Sequence, residues 1–429
     1  MKINAPRGTA DLLPAESAKW QFAEQKIKDI CRRYHYEEIR TPLFEHTELF
    51  QRSVGDSTDI VQKEMYTFED RGGRSLTLRP EGTAAVARAF VQNKLYGDPN
   101  QPKKLYYFMQ MFRYERPQAG RMRQLNQFGV EVLGSEDPAV DAEVIDLAMT
   151  TYQELGLKSL KLVINSLGDQ ESRQNYRDAL VAHFTPVANE LCKDCQQRLT
   201  QNPLRILDCK TDRTHPAMAA APSILDYLND ASKQYFEQVK HYLNVIDIPY
   251  VVDPNLVRGL DYYNHTAFEI MSESDGFGAI TTLAGGGRYN GLIEELGGPN
   301  TPGIGFGMGL ERLMMALDAE KIQLSTDKQL DCYMVAMGEQ AEQKAFSLVR
   351  ELRSKGIQID KDYQGKKMKG QFKNADRLQA KYVLILGEDE IEQGTVLVRT
   401  METGEQEAIN WDEIAETMQE KLQGGKADE

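Results

Sequence analysis

Residues 256–269 read LVRGLDYYNHTAFE, which crowds a guanidinium, a carboxylate and two phenols into one short stretch before a strand-like TAFEIMS. A second charged stretch is FMQMFRYERPQAGRMRQLNQFGVEVLG. If residues 112–115 are extended, Arg113 and Glu115 share one face while Phe112 and Tyr114 point the other way. On the return strand Leu125, Gln127, Gly129 and Glu131 share a face by the same period of two. One surface of this hairpin then carries an arginine, two acids and an amide in a row. Such a row recognises charge: a buried sheet face tolerates it only with ligands or charge partners in place. The competing reading is a solvated face.

The elements that must position these groups are legible in outline. Ala23, Ile27, Ile30, Cys31 and Tyr34 fall on one helical face over residues 17–34. YEEIRTPLFE reads as a short strand with Pro42 at an edge, because proline cannot donate to a ladder. A second helix follows LRPEGT and runs to about Asn93. KLYYFMQMFRYE and QLNQFGVEVLG form an antiparallel hairpin whose loop, with Pro117 and Gly120, is too long for a tight turn. A helix over 138–155 has Asp137 as cap and Gly156 as stop. Residues 170–250 turn helical and polar and read as an inserted domain. Strands resume with YVVD, TAFEIMS, AITTLAGGG and PGIGFGMG, and the helix LERLMMALDAEK closes the block. From Asp331 the strands CYMVAM, IQID, YVLILG and TVLVR alternate with helices, which predicts a small α/β domain.

Composition narrows the class. The chain has 429 residues, 41% of them hydrophobic, enough for two or three domains with real cores. No apolar run approaches the roughly 20 residues of a membrane helix, and MKINAPRGTADLLPAE lacks the apolar centre of a signal peptide. A cytoplasmic protein is expected. Five cysteines suit reduced thiols better than a disulfide framework. A net charge of -14 argues against indiscriminate nucleic-acid binding. Specific binding would need local basic surface, which RYERPQAGRMR and KDYQGKKMKGQFKNADRLQAK supply unless they are merely solvated faces.

AGGGRYNGL and GIGFGMGLERL satisfy neither G-x-x-x-x-G-K-[ST] nor G-x-G-x-x-G, so a P-loop or dinucleotide enzyme is disfavoured. Their glycines either let backbone approach a ligand or allow tight strand packing. FRYERPQAGR closely resembles motif 2 of class II aminoacyl-tRNA synthetases, GIGFGMGLERL resembles their motif 3, and Pro42 sits where motif 1 places its proline. LVRGLDYYNHTAFE and LAGGGRYNGL resemble the two signatures of histidyl-tRNA synthetases. The resemblance covers nearly the whole chain.

That resemblance implies an α+β catalytic core on an antiparallel sheet over residues 1–169 and 251–325. It also implies a helical insertion over 170–250 that clamps the acceptor arm, and an anticodon-binding α/β domain over 326–429. The implied reaction joins the histidine carboxylate to the α-phosphorus of ATP, then passes the acyl group to a terminal ribose of tRNA. Fixed cations are the main requirement of the first step. Arg113 and Arg258 are implied as catalytic: Arg113 holds the α-phosphate, and Arg258 lies against that phosphate and the substrate carboxylate, where many class II relatives place a metal. Asp261 is expected to hold Arg258. Arg121 reaches the outer phosphates with Mg²⁺, Glu115 borders the ATP, and Arg312 stacks on adenine. Leu125 departs from the aromatic residue usual at the end of motif 2, which leaves adenine packing more to Arg312. For the imidazole, Glu131 accepts from one nitrogen and the Tyr263 hydroxyl serves the other, with Tyr262 and Tyr289 as walls. Glu81 and Thr83 take the α-amino group, and Gln127 the carboxylate or amine. Arg116, Gln118 and Arg123 are expected at the tRNA, and motif 1 implies a homodimer.

Cys192, Cys195, Cys209 and His215 have a spacing that could hold a structural zinc as three thiolates and an imidazole. The second half lacks the paired spacing of a zinc ribbon, and the alternative is small apolar residues along one helix, so no metal is assigned. Two other functions compete with the enzyme. A synthetase-like regulatory subunit would typically lose the C-terminal domain or motif arginines; this chain keeps Arg113, Arg258 and Arg312. An RNA-binding module with a dead site would bind without turnover.

Overall fold

The computed structural model describes residues 3–55, 58, 60–207, 209, 211–275, 277, 281–324 and 329–424. The chain divides into two compact units, Met1–Ser325 and Thr326–Glu429.

The first unit is built on an eight-stranded sheet. Its order is Glu37–Glu38, Lys103–Phe112, Gln124–Leu133, Gly303–Gly309, Thr282–Arg288, Asn264–Ser272, Leu160–Ser166 and Val251–Val252. The six inner strands pair antiparallel, and only the two-residue strands at the edges pair parallel. Alternation divides its residues between two faces. Phe128, Val130 and Val132, with Ile304, Phe306, Met308, Phe268 and Ile270, are buried in one core with helices Pro14–Arg33, Pro138–Glu154, Asp230–Val245 and Leu310–Ala319. Gln127, Glu131, Glu269, Gly285, Gly305 and Gly307 alternate with them and occupy the opposite face.

Several elements differ from expectation. YEEIRTPLFE makes two short strands, Glu37–Glu38 and Phe44–His46, rather than one, because Pro42 lies between them and cannot join a ladder. Phe44–His46 joins a small sheet with Ser75–Leu78 and Tyr66–Glu69. The strand of the charged hairpin ends at Phe112, so Arg113 and Glu115 do not share a strand face; the Glu115 N–H donates to the Arg113 carbonyl at 2.7 Å in the loop beyond. Asp137 does cap helix Pro138–Glu154, accepting from the Ala139 N–H. Residues 170–250 contain two kinds of packing. Tyr176, Leu180, Phe184, Ile206 and Leu228 form a core of their own, whereas Phe236, Val239 and Leu243 of helix Asp230–Val245 are buried in the main core.

The second unit has a five-stranded sheet in the order Ile359–Lys361, Cys332–Ala336, Tyr382–Leu386, Thr395–Thr400 and Gln406–Asn410. The first three strands run parallel and the last two antiparallel. Cys332, Met334, Leu384 and Leu386 pack on helices Glu339–Ser354 and Ile414–Gly424, while Tyr333, Val335, Val383 and Ile385 pack with Ala375 of helix Met368–Arg377. Lys367, Lys369, Lys373 and Arg377 are exposed at that helix.

Candidate active site

The polar face of the large sheet opens into a cavity of about 250 Å³. Its wall brings together Arg113, Arg121, Arg258 and Arg312, which lie up to 199 positions apart in sequence (312 minus 113). Each is anchored by a neighbour. Arg113 Nε donates to the Pro80 carbonyl at 2.8 Å. Arg312 Nε donates to the Gly120 carbonyl at 3.1 Å and its Nη1 to the Thr282 carbonyl at 2.5 Å. Arg121 Nε lies 3.5 Å from Glu115 Oε2. Burial, with the like charges of Arg121 and Arg113, lowers the Arg312 pKa. Like charges crowded at one wall raise the electrostatic energy of the empty protein, and an anion relieves it.

Arg258 is not held by Asp261. Its Nη1 donates to Glu269 Oε1 at 2.5 Å, and Glu269 Oε2 accepts from Thr282 Oγ1 at 3.0 Å. Asp261 instead accepts from Asn202 Nδ2 at 2.9 Å. The physical reason is the strand: Glu269 sits on Asn264–Ser272 facing the cavity, beside Gly285 of the neighbouring strand. A Cβ on Gly285 would run into the Arg258 guanidinium. The Arg258 Nε is buried with no hydrogen-bond partner.

Beside the arginines lies a fully buried acid. Glu131 accepts from Thr83 Oγ1 at 2.7 Å, Tyr289 Oη at 2.5 Å and Tyr107 Oη at 3.4 Å. Burial pushes its carboxyl from an ordinary 4.5 up to about 8. Gly305 faces it across the ladder, where a Cβ would meet the carboxylate. Glu81 accepts from the N–H groups of Thr83 and Ala84 at 2.8 and 2.9 Å, satisfying donors of the buried first turn of helix Thr83–Gln92 that have no partner within the helix. Burial raises its pKa too, against those N–H groups and the charge of Arg113. Tyr262 and Tyr263 pack tilted by 47° with centroids 4.6 Å apart, and Tyr289 meets Tyr262 edge-on at 5.6 Å.

The expected residues therefore separate into three groups. Glu81, Thr83, Arg113, Glu115, Arg121, Leu125, Gln127, Arg258, Tyr262, Tyr263 and Arg312 all line the cavity. Glu131 and Tyr289 are buried behind it, joined to the wall through Thr83. Arg116 and Gln118 stand exposed in the hairpin loop, and Arg123 stacks on Tyr114 at 3.9 Å beside a different depression with Pro6 and Tyr66. Glu269 and Tyr107 were missed in the sequence. Glu269 lies inside the quoted signature, at strand spacing from the core residues Phe268 and Ile270, and that alternation was the available signal. His215, whose spacing from the three cysteines would have allowed a fourth ligand, accepts from the Ala217 N–H at the start of helix Pro216–Ala219, and its Nε2 lies 3.3 Å from Glu190. Asp212 takes its place beside the three cysteines.

Comparison with known proteins shows the family. The family model for histidyl-tRNA synthetase matches residues 8–313, and that for an anticodon binding domain matches residues 331–421. The histidine–tRNA ligase of Oceanobacillus iheyensis is 70% identical over 99% of both chains, and that of Bacillus subtilis 63% identical over 99% of this chain and 100% of its own. The apo S. aureus histidyl-tRNA synthetase crystal structure, 51% identical, superposes with a TM-score of 0.84 over 97% of this chain and 100% of its own. The chain belongs to the histidyl-tRNA synthetase family.

Proposed function

We propose that this chain attaches L-histidine to tRNA(His): ATP and histidine form histidyl-adenylate with release of pyrophosphate, and the acyl group then passes to the terminal ribose of tRNA. The observation that carries this reading is the convergence of four arginines on one cavity whose neighbouring wall is an acid held by hydroxyls. Attack of a carboxylate on a phosphate brings two anions together, and fixed guanidinium groups offset that charge without reorganising. Arg113 and Arg258 flank the reacting α-phosphate and the histidine carboxylate, Arg121 takes the outer phosphates, and Arg312 packs on adenine beside Leu125. Glu81 and Thr83 receive the α-amino group, and Gln127 contacts the carboxylate or amine. Glu131 uses its remaining lone pairs for one imidazole nitrogen, Tyr263 serves the other, and Tyr262 and Tyr289 flank the ring.

Mg²⁺ enters with ATP. Glu115, whose Oε2 pairs with Arg121 at 3.5 Å, and Glu311 offer hard oxygen donors at the same wall, and the ion would neutralise charge on the outer phosphates. At the tRNA, Arg116, Gln118 and Arg123 of the hairpin loop contact the RNA, and the exposed lysines of helix Met368–Arg377 meet the anticodon arm. The protein works in the cytoplasm as a homodimer; no helix among the described residues is long and apolar enough to cross a membrane. Leu43, Phe44 and Phe68 are exposed, with the two phenylalanine rings edge to face at 6.2 Å, and they offer an apolar patch for the second copy. A monomer mass in sedimentation equilibrium would end the dimer reading. The chemistry is tested by amino-acid-dependent exchange of pyrophosphate into ATP, followed by charging of tRNA. Exchange with histidine alone among the amino acids, then charging, is expected; exchange without charging, or no exchange, overturns it.

A further inference from the structure

Away from the cavity, Tyr176, Leu180, Phe184, Ile206, Ile224 and Leu228 form a small core within residues 170–228. Three thiols and a carboxylate are set against it. Cys192 precedes helix Lys193–Gln201, Cys195 lies in its first turn, and Cys209 and Asp212 follow the turn Pro203–Ile206. One ligand atom from each of these four residues lies within 4.8 Å of all the others. Two edges of the figure are closer: Cys192 Sγ to Cys209 Sγ is 3.7 Å, and Cys209 Sγ to Asp212 Oδ2 is 3.6 Å. A tetrahedral zinc, with bonds of about 2.3 Å to sulfur and about 2.0 Å to oxygen, sets sulfurs about 3.8 Å apart and sulfur and oxygen about 3.5 Å apart. Both edges fit.

The backbone around the cluster also points inward. The Cys192 N–H donates to the Asp212 carboxylate at 3.0 and 3.2 Å, and the Asp212 N–H to Cys209 Sγ at 3.4 Å. Such donors orient ligands and hold their rotamers. A disulfide between Cys192 and Cys209 would use two of the four groups and leave a thiol and a carboxylate facing one another. Four protein donors leave no open coordination position, which is the arrangement of a structural ion rather than a catalytic one. Thiolate sulfur selects zinc over the hard ions that oxygen-only sites prefer.

The stretch closed by these four residues touches the turn that follows Arg258. Asn202 Nδ2 donates to Asp261 Oδ1 at 2.9 Å, and Arg205 Nη1 to the Gly259 carbonyl at 2.8 Å, on either side of the turn after Arg258. We propose that Cys192, Cys195, Cys209 and Asp212 bind one structural zinc ion, which clasps this segment and, through Asn202 and Arg205, steadies the loop that carries Arg258. Binding forms three zinc–thiolate bonds and one zinc–carboxylate bond and releases the thiol protons to solvent, with no change of oxidation state.

The test uses the full-length protein purified without chelators. Elemental analysis is expected to find about one zinc per chain, freed when the thiols are blocked with a mercurial. Replacement of zinc by Co²⁺ should give the intense visible bands of a tetrahedral ion and the near-ultraviolet thiolate-to-cobalt charge-transfer band. Cys209→Ser should lose both, and Asp212→Asn should keep the charge-transfer band while weakening affinity by about tenfold or more. The wild-type cobalt spectrum decides even if Cys209→Ser fails to fold. A zinc content below about a tenth of an ion per chain, with no tetrahedral cobalt bands, overturns the proposal. So does a Cys192–Cys209 disulfide found by mass spectrometry, or a cobalt spectrum unchanged in Cys209→Ser.

Discussion

Arg258 and Glu131 put the chemistry on two different physical footings. Arg258 is a charge whose anchor, Glu269, neutralises part of it while its buried Nε has no partner, so the side chain is held in place in advance of the anion it is proposed to meet. Truncation to Arg258→Ala should slow adenylate formation by about 10²–10³-fold, with histidine binding falling much less. Pre-steady-state pyrophosphate exchange measures the first and equilibrium titration the second, and an unchanged rate removes Arg258 from the mechanism. Glu131 is shaped by burial, which holds its carboxyl at about 8 in the folded protein against an ordinary 4.5. Because the folded value lies above the unfolded one, this group's favourable contribution is complete below about 4.5 and is lost as pH rises through about 8. The ligand-free protein should therefore lose thermal stability between about pH 5 and about pH 9, and Glu131→Gln should lose less of it. Identical pH profiles for the two proteins would show that Glu131 does not carry this titration.

At the scale of elements, the glycine strands resolve an ambiguity that the sequence left open. GGG and GIGFGMG serve both strand packing and side-chain approach: a Cβ on Gly286 would meet Phe306 and the Gly305 carbonyl, whereas Cβ atoms on Gly285 and Gly307 would meet Arg258 and Gln127 side chains. The distinction matters for mutation. Gly285→Ala collides with the far end of a flexible arginine, so the fold should survive with its melting temperature within about 2–4 °C of the parent, while exchange falls by at least about tenfold. A variant of full activity would mean that the Arg258 guanidinium does not need its place against the sheet. Alternation along Gln124–Leu133 was readable because one face is apolar and the other carries Gln127 and Glu131. Strand Leu160–Ser166 escaped notice because it is buried without alternation along its second half, a pattern shared with buried helices.

For the whole molecule, each unit has its own sheet and its own buried clusters. A chain ending at residue 325 should therefore keep histidine-dependent exchange and lose charging of tRNA by at least about 10²-fold, if the basic helix Met368–Arg377 supplies the second contact with RNA. Equal charging by the truncated and full chains would remove the second unit from tRNA recognition. The net charge of -14 makes this dependence on local basic surface sharper, since the averaged field repels the polyanion.

The order of short motifs along the chain carried the resemblance to the family and, with it, the α+β core, while strand and helix periods outlined the hairpin and the C-terminal α/β unit, because both kinds of signal are local. Partnerships were not legible. That Arg258 pairs with Glu269 rather than Asp261, and that Asp212 rather than His215 joins the three cysteines, depends on which loops fold back against which strand. Distance in space between such groups is set by packing of the whole unit, and no sequence separation encodes it.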